Sequence, residues 1–257
     1  MGDAMNWKHA SMCADVSNSV YKDHDKCLDD IKLYIGQDTS YIFFDEDGAQ
    51  GCMFRHDKDH VVIAFRGTQP TQLSDLLADL KAWRETSDTK GRVHSGFKNE
   101  VDKLWPYIEK MVKGKGANKE RDTIIVTGHS LGAAMATITA TRINEMGYNT
   151  VLYNFGSPRV GNGDWAEQFE DIPTWRFVNN NDMVTKVPPF GLYTHIGELK
   201  YINYYGNVRK NTWWQRFKDQ LRGRWRALQK FQLFDGLFDH SMGLYADKVR
   251  KNKDEKV

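Results

Sequence analysis

Cysteine is scarce in this chain, and so is any long apolar run. Three cysteines, Cys13, Cys27 and Cys52, stand at irregular spacing among 257 residues. An odd count without a regular interval is not a disulfide framework, and no CxxC pair exists to build a zinc ribbon. Three reduced, partly buried thiols are the expected state. No apolar stretch reaches the length needed to span a membrane. The stretch from Met1 to Val16 lacks the apolar segment of a secretory signal, so the chain reads as soluble and cytoplasmic as written, with secretion left open. Net charge is equally small: 36 basic side chains oppose 34 acidic ones. No global field therefore calls for nucleic acid or an acidic partner.

The chain does contain alternating strand and helix patterns. Trp7 to Tyr21 reads as a helix, and Tyr41–Phe44 as a strand. Asp47-Gly48 is a hairpin signal leading to a second strand near Cys52–Phe54. Val61–Phe65 is a continuous apolar run, which suits a strand buried on both faces. His56, Asp57, Asp59 and His60 lie close together before it, and a polar turn between two strands accounts for them. Leu73, Leu76, Leu77 and Leu80 share one helical face between Thr71 and Trp83. A helix is predicted over Asn99–Val112 and a loop at Lys113–Gly116. A strand over Thr123–Thr127 leads into a helix over Leu131–Met146. Further strands are predicted at Tyr153–Phe155 and Thr174–Val178. The fold class is therefore α/β, with one mixed, mostly parallel sheet covered on both faces and an antiparallel edge. The end of the chain, Arg250 to Val257, is charged and is expected to fray.

One motif carries chemistry. Gly128-His129-Ser130-Leu131-Gly132 has the form GxSxG, a pattern weak by itself. Here it follows a predicted strand and opens a predicted helix, the context it needs. The sharp turn leaves no room for Cβ atoms at the two glycines. Ala133, Ala134 and Ala136 keep the following helix slim. Ser130 then stands at a helix N-terminus, where free N–H groups favour developing negative charge. A serine hydroxyl needs a base, and the base needs a carboxylate. Only His195 and His240 follow Ser130. Asp182 lies just after the strand Thr174–Val178, where such sheets gather their chemistry. Asp164, Asp171, Asp235 and Asp239 compete with it, but each reads more simply as a solvated loop or helix residue. The backbone N–H of Leu131 is the expected first donor of an oxyanion hole.

These stretches, with several others, resemble the class 3 lipases, a group that includes fungal triacylglycerol lipases, feruloyl esterases and phospholipases. The matching segments are Val62–Thr68, Val93–Phe97, Gly128–Gly132, Asn154–Asn162, Asn181–Val184 with Pro188-Pro189, and Asp239–Ser241. They occur in family order across nearly the whole chain. The resemblance implies one α/β-hydrolase domain in which Asp182 is the acid and His240 the base of a triad with Ser130. It assigns the second oxyanion donor to Thr68. It makes His195 and His94 structural and implies neither metal nor organic cofactor.

The expected activity is hydrolysis of lipid esters through an acyl-enzyme. A phospholipase, a feruloyl-type esterase and a catalytically silent membrane-binding module are the alternatives. In the resembled lipases the segment at about 69–83 is a lid, although ordinary core packing explains its leucines equally well. An insertion at about 207–235 departs most from the family. Arg209, Lys210, Arg216, Lys218, Arg222, Arg224, Arg226 and Lys230 are interleaved there with Trp213, Trp214, Phe217 and Trp225. That profile suits a helix on an anionic membrane or lipid–water interface, or an amphipathic helix packed on the domain with its basic face in water. Nucleic acid is not the expected partner, since the hydrolase motifs point elsewhere.

Overall fold

The computed structural model describes residues 4–34, 41–68, 83–209 and 239–255. The leucine-bearing segment at 69–82 and most of the basic aromatic segment, 210–238, lie outside the described residues, so the lid and membrane-helix expectations fall there.

An eight-stranded sheet runs through the centre in the order β1-β2-β3-β6-β7-β8-β9-β10. Its first strands are β1 (Tyr41–Glu46), β2 (Ala49–Arg55) and β3 (His60–Phe65). The β1–β2 hairpin closes on Asp47 and Gly48, both with positive φ (48° and 81°), as a two-residue turn requires. From β3 the pairing turns parallel through β6 (Thr123–His129), β7 (Asn149–Phe155), β8 (Thr174–Asn179) and β9 (Glu198–Ile202). The two-residue β10 (Val208–Arg209) closes the far edge antiparallel. A separate ribbon pairs β4 (Arg84–Thr86) with β5 (Arg92–His94).

Side-chain alternation explains why the central residues of β3 and β6 are apolar on both faces. Val61, Ile63, Phe65, Ile124 and Val126 face one core. Val62, Ala64 and Ile125 face the other. Against the first core lie α3 (Ser95–Met111) and α4 (Leu131–Glu145). Against the second lie α1 (Trp7–Ser19), α2 (His24–Ile31) and the last helix, α6 (Met242–Asp254). A short helix, α5 (Gly163–Ala166), precedes β8. The three cysteines are free and buried, and all pack in the second core.

Three differences from the sequence expectations have local causes. Val112–Gly116 extends α3 as a wide turn broken at Gly114, where a loop is predicted. The charged end of the chain is ordered in helix to Asp254 rather than frayed. Its buried stripe of Met242, Tyr245, Ala246 and Val249 packs on the sheet, and Arg250 pairs with Asp15 of α1 at 2.6 Å. Asp239 is buried rather than solvated.

Candidate active site

The site assembles at the carboxyl ends of the parallel strands. β6 ends at His129, and Ser130 turns the chain into α4 with φ 58° and ψ −126°. A non-glycine residue held there is strained and persists only where its surroundings fix it. The surroundings do so on three sides. Ser130 N–H donates to the Phe155 carbonyl at the end of β7 (3.1 Å). Its own carbonyl accepts from Ala133 and Ala134 (3.0 and 3.2 Å), starting the helix. Gly128 and Gly132 pack on each other, and a Cβ on Gly132 would strike the Phe65 carbonyl at the end of β3.

Asp182 lies three residues beyond β8. Its loop is fixed by its own N–H to the Asn179 carbonyl (2.9 Å), by Val184 N–H to Oδ1 (2.9 Å), and by Thr185 Oγ1 to its carbonyl (2.9 Å). Asp182 Oδ2 accepts from His240 Nδ1 at 2.8 Å and from the Tyr245 hydroxyl at 2.6 Å. All three side chains are buried. Because a carboxylate only accepts, the His240 proton sits on Nδ1 and its Nε2 presents a lone pair. Gly156, with φ 57°, makes room for the pair: a Cβ there would lie 2.8–2.9 Å from His240 and from Asp182 Oδ2. His240 Nε2 and Ser130 Oγ are both buried without a hydrogen-bond partner among the described residues. A buried base lone pair and a buried hydroxyl flank the same β7 end, which suits proton transfer between them.

His129 packs its ring 4.4 Å from that of His240. Its Nε2 donates to the His240 carbonyl (2.7 Å), so its Nδ1 accepts from the Tyr21 hydroxyl (2.8 Å). Burial, reinforced by the neighbouring His240, pushes the His129 pKa well below the usual histidine range. It is a neutral spacer behind the base. His195 Nε2 donates to the Thr185 carbonyl (2.7 Å), and His94 stacks on Phe97.

Arg66-Gly67-Thr68 follows β3 and lies against the nucleophile. Gly67 has no room for a Cβ between the Tyr21 hydroxyl, the His129 carbonyl and Ser130 Cβ. Thr68 is thus one residue from contact with Ser130, and Leu131 N–H opens α4 with no preceding turn to bond it.

The supporting roles of three residues escape the sequence reading. Tyr245 donates to Asp182 and accepts from Asn179 N–H (2.9 Å). Burial beside Asp182 holds its hydroxyl well above the usual tyrosine range. Its place in the apolar stripe of α6 is the one signal available in the sequence. Asp239 accepts from Asn180 Nδ2 (2.8 Å) and Asn181 N–H (3.2 Å), latching the His240 turn to the Asp182 loop. Tyr21 fixes His129 as described.

The chain is similar to known proteins of one family. The family described as Lipase (class 3) matches residues 62–192, about half of the chain. That span holds Thr68, Ser130, Leu131 and Asp182, while His240 lies beyond it. A secreted mono- and diacylglycerol lipase A of Penicillium cyclopium is 30% identical over 198 residues, 69% of this chain and 60% of that protein. A phospholipase A1-II 1 of Oryza sativa subsp. indica is 40% identical over 102 residues, 34% of this chain and 26% of its own length. A solved triacylglycerol lipase whose catalytic centre is a serine protease triad superposes with a TM-score of 0.63. It is 24% identical and covers 79% of this chain and 82% of its own, a likeness of fold. No helix among the described residues is long and apolar enough to cross a membrane.

Proposed function

The chain belongs to the class 3 lipases, and on that footing we propose that it hydrolyses carboxylic esters of lipids, with acylglycerols as the preferred class. The observation that carries the reading is the buried Ser130 hydroxyl on its strained turn, beside a His240–Asp182 pair whose Nε2 has no partner among the described residues. His240 Nε2 takes the Ser130 proton as Oγ attacks the ester carbonyl. The carbonyl π electrons move to oxygen, and N–H groups of Thr68 and Leu131 stabilise that oxyanion. Collapse expels the alkoxide, which leaves as the alcohol with the proton from His240. Water, deprotonated by His240, then cleaves the acyl-enzyme, releasing the acid and restoring Ser130. Asp182 holds the ring in its tautomer and stabilises the imidazolium throughout.

The lipid preference rests on the relatives and on exposed apolar side chains. Trp83, Phe190 and Met183 are 72%, 80% and 50% exposed. Trp83 and the 190s loop adjoin, since the Tyr193 hydroxyl donates to the Trp83 carbonyl (3.4 Å). Exposed aromatic side chains of this kind suit a lipid–water boundary. The direct test is a panel of emulsified mono-, di- and triacylglycerols, phosphatidylcholine and methyl ferulate. Turnover should be greatest on an acylglycerol. Preferred release of a fatty acid from phosphatidylcholine would favour the phospholipase reading, and ferulate hydrolysis alone would overturn the lipid assignment.

A further inference from the structure

A second histidine cluster stands at the opposite end of the sheet. The turn between β2 and β3 carries Asp57, His60 opens β3, and α1 brings His9 against both. His60 Nδ1 lies 2.8 and 3.0 Å from the two Asp57 carboxylate oxygens. The His9 ring packs 4.6 Å from that of His60 and 6.0 Å from that of His56. One donor atom from each of His9, Asp57 and His60 lies within 4.8 Å of the other two. We propose that these three side chains bind a single divalent transition-metal ion of the zinc class and so staple α1 to the β2–β3 turn.

Geometry and donor chemistry both support this. Tetrahedral bonds of about 2.1 Å place ligand atoms roughly 3.4 Å apart, so small side-chain rotations close the site. Two imidazoles and one carboxylate select zinc, copper, nickel or cobalt over calcium or magnesium. The remaining coordination position is open to water, since the side chains of His60 and Asp57 are 27% and 43% exposed. When the ion replaces the proton between His60 Nδ1 and Asp57, that proton moves through solvent to His60 Nε2. His56 sits beside the site with Nδ1 donating to the Tyr34 carbonyl (2.7 Å). β3 spans roughly 20 Å between this cluster and the catalytic loops. The ion's expected role is therefore structural.

The test is zinc titration of the untagged, chelator-stripped full chain by calorimetry, followed by thermal unfolding. One equivalent of zinc should bind. At a hundredfold excess over Kd, the melting temperature should rise by about 5–10 °C. Calcium and magnesium should give no rise. Asp57→Asn changes an exposed side chain and His60→Gln a partly exposed one, so both should fold. Each should weaken zinc binding at least tenfold, while Ser130→Ala should bind as the parent does. Cobalt should give tetrahedral visible bands in the parent that Asp57→Asn abolishes. Absence of zinc binding, or binding and stabilisation unchanged in both variants, would overturn the site.

Discussion

Two Asp–His pairs occupy opposite ends of one mixed sheet at the same Nδ1–Oδ separation, 2.8 Å. At the carboxyl end, His240 and Asp182 are 3% and 0% exposed, and the Tyr245 hydroxyl and the space left by Gly156 allow them one geometry. At the amino end, His60 opens β3 and Asp57 stands in the turn before it, both partly open to water. An exposed pair of this kind contributes little to stability, and its atoms keep the freedom to accept an ion. A buried pair that loses a partner leaves an unsatisfied charge, so each surrounding bond matters. The pairing distance alone does not assign a role; the residues that enclose the pair do.

Substitutions can break this contrast, beginning where the effect should be largest. Ser130→Ala should lower kcat on a soluble ester by about 10^5-fold, and Asp182→Asn by about 10^4-fold. Near-parental turnover in either would dissolve the distinction between the two ends. Gly156→Ala puts a methyl 2.8–2.9 Å from both members of the buried pair, at a φ that side chains resist. A displacement near 1 Å should cost about a hundredfold in kcat with the fold retained. Circular dichroism alongside kinetics separates the two effects.

Tyr245→Phe removes a donor from Asp182 and the acceptor of Asn179 N–H. Stability should fall by about 1–3 kcal/mol in urea unfolding, and kcat by roughly tenfold. The amino end should respond in stability alone. Asp122, just before β6, accepts from Arg55 (2.6 Å), Arg121 (2.8 Å) and Asn118 N–H (2.8 Å). It is fully buried, and these partners outweigh the desolvation cost, holding its carboxyl well below the usual range. Its folded pKa lies beneath the unfolded value of about 3.9, so its stabilisation is complete above that pH and lost as pH falls through the folded pKa. Asp122→Asn should cost about 2 kcal/mol at neutral pH and flatten the acid limb of the stability profile, with kcat unchanged. The smallest effect belongs to Asp57→Asn without metal, within about 0.5 kcal/mol of the parent and equal in turnover.

The same contrast explains what the sequence could disclose. Val61–Phe65, Thr123–Thr127 and the Asp47-Gly48 turn are legible because period and turn chemistry are local properties. Ser130 and Asp182 stand where strands end, a place the pattern marks. Selecting His240 over His195 depends on the family order of segments, since nothing local separates them. The β4–β5 ribbon is mostly polar and three residues a side, so its pairing comes from the fold rather than from propensity. The last helix looks frayed because its charges dominate, yet its buried stripe and the Arg250–Asp15 pair decide the outcome. Tyr245 meets Asp182 across 63 residues, and His9 reaches the β2–β3 turn from α1. Such meetings are invisible until the topology is known. The polar turn at His56–His60 is complete as a turn; only the arrival of His9 gives it a third ligand.

The central claim is that the enclosed pair activates Ser130 and no other hydroxyl. Its most direct test is covalent labelling with a p-nitrophenyl alkylphosphonate, which a nucleophilic serine attacks at phosphorus with release of p-nitrophenolate. One equivalent should be released per chain, with the phosphonyl group on the Ser130 peptide by mass spectrometry, and His240→Gln should slow labelling at least a thousandfold. Stoichiometric labelling of another residue, or unchanged labelling in His240→Gln, would contradict the account.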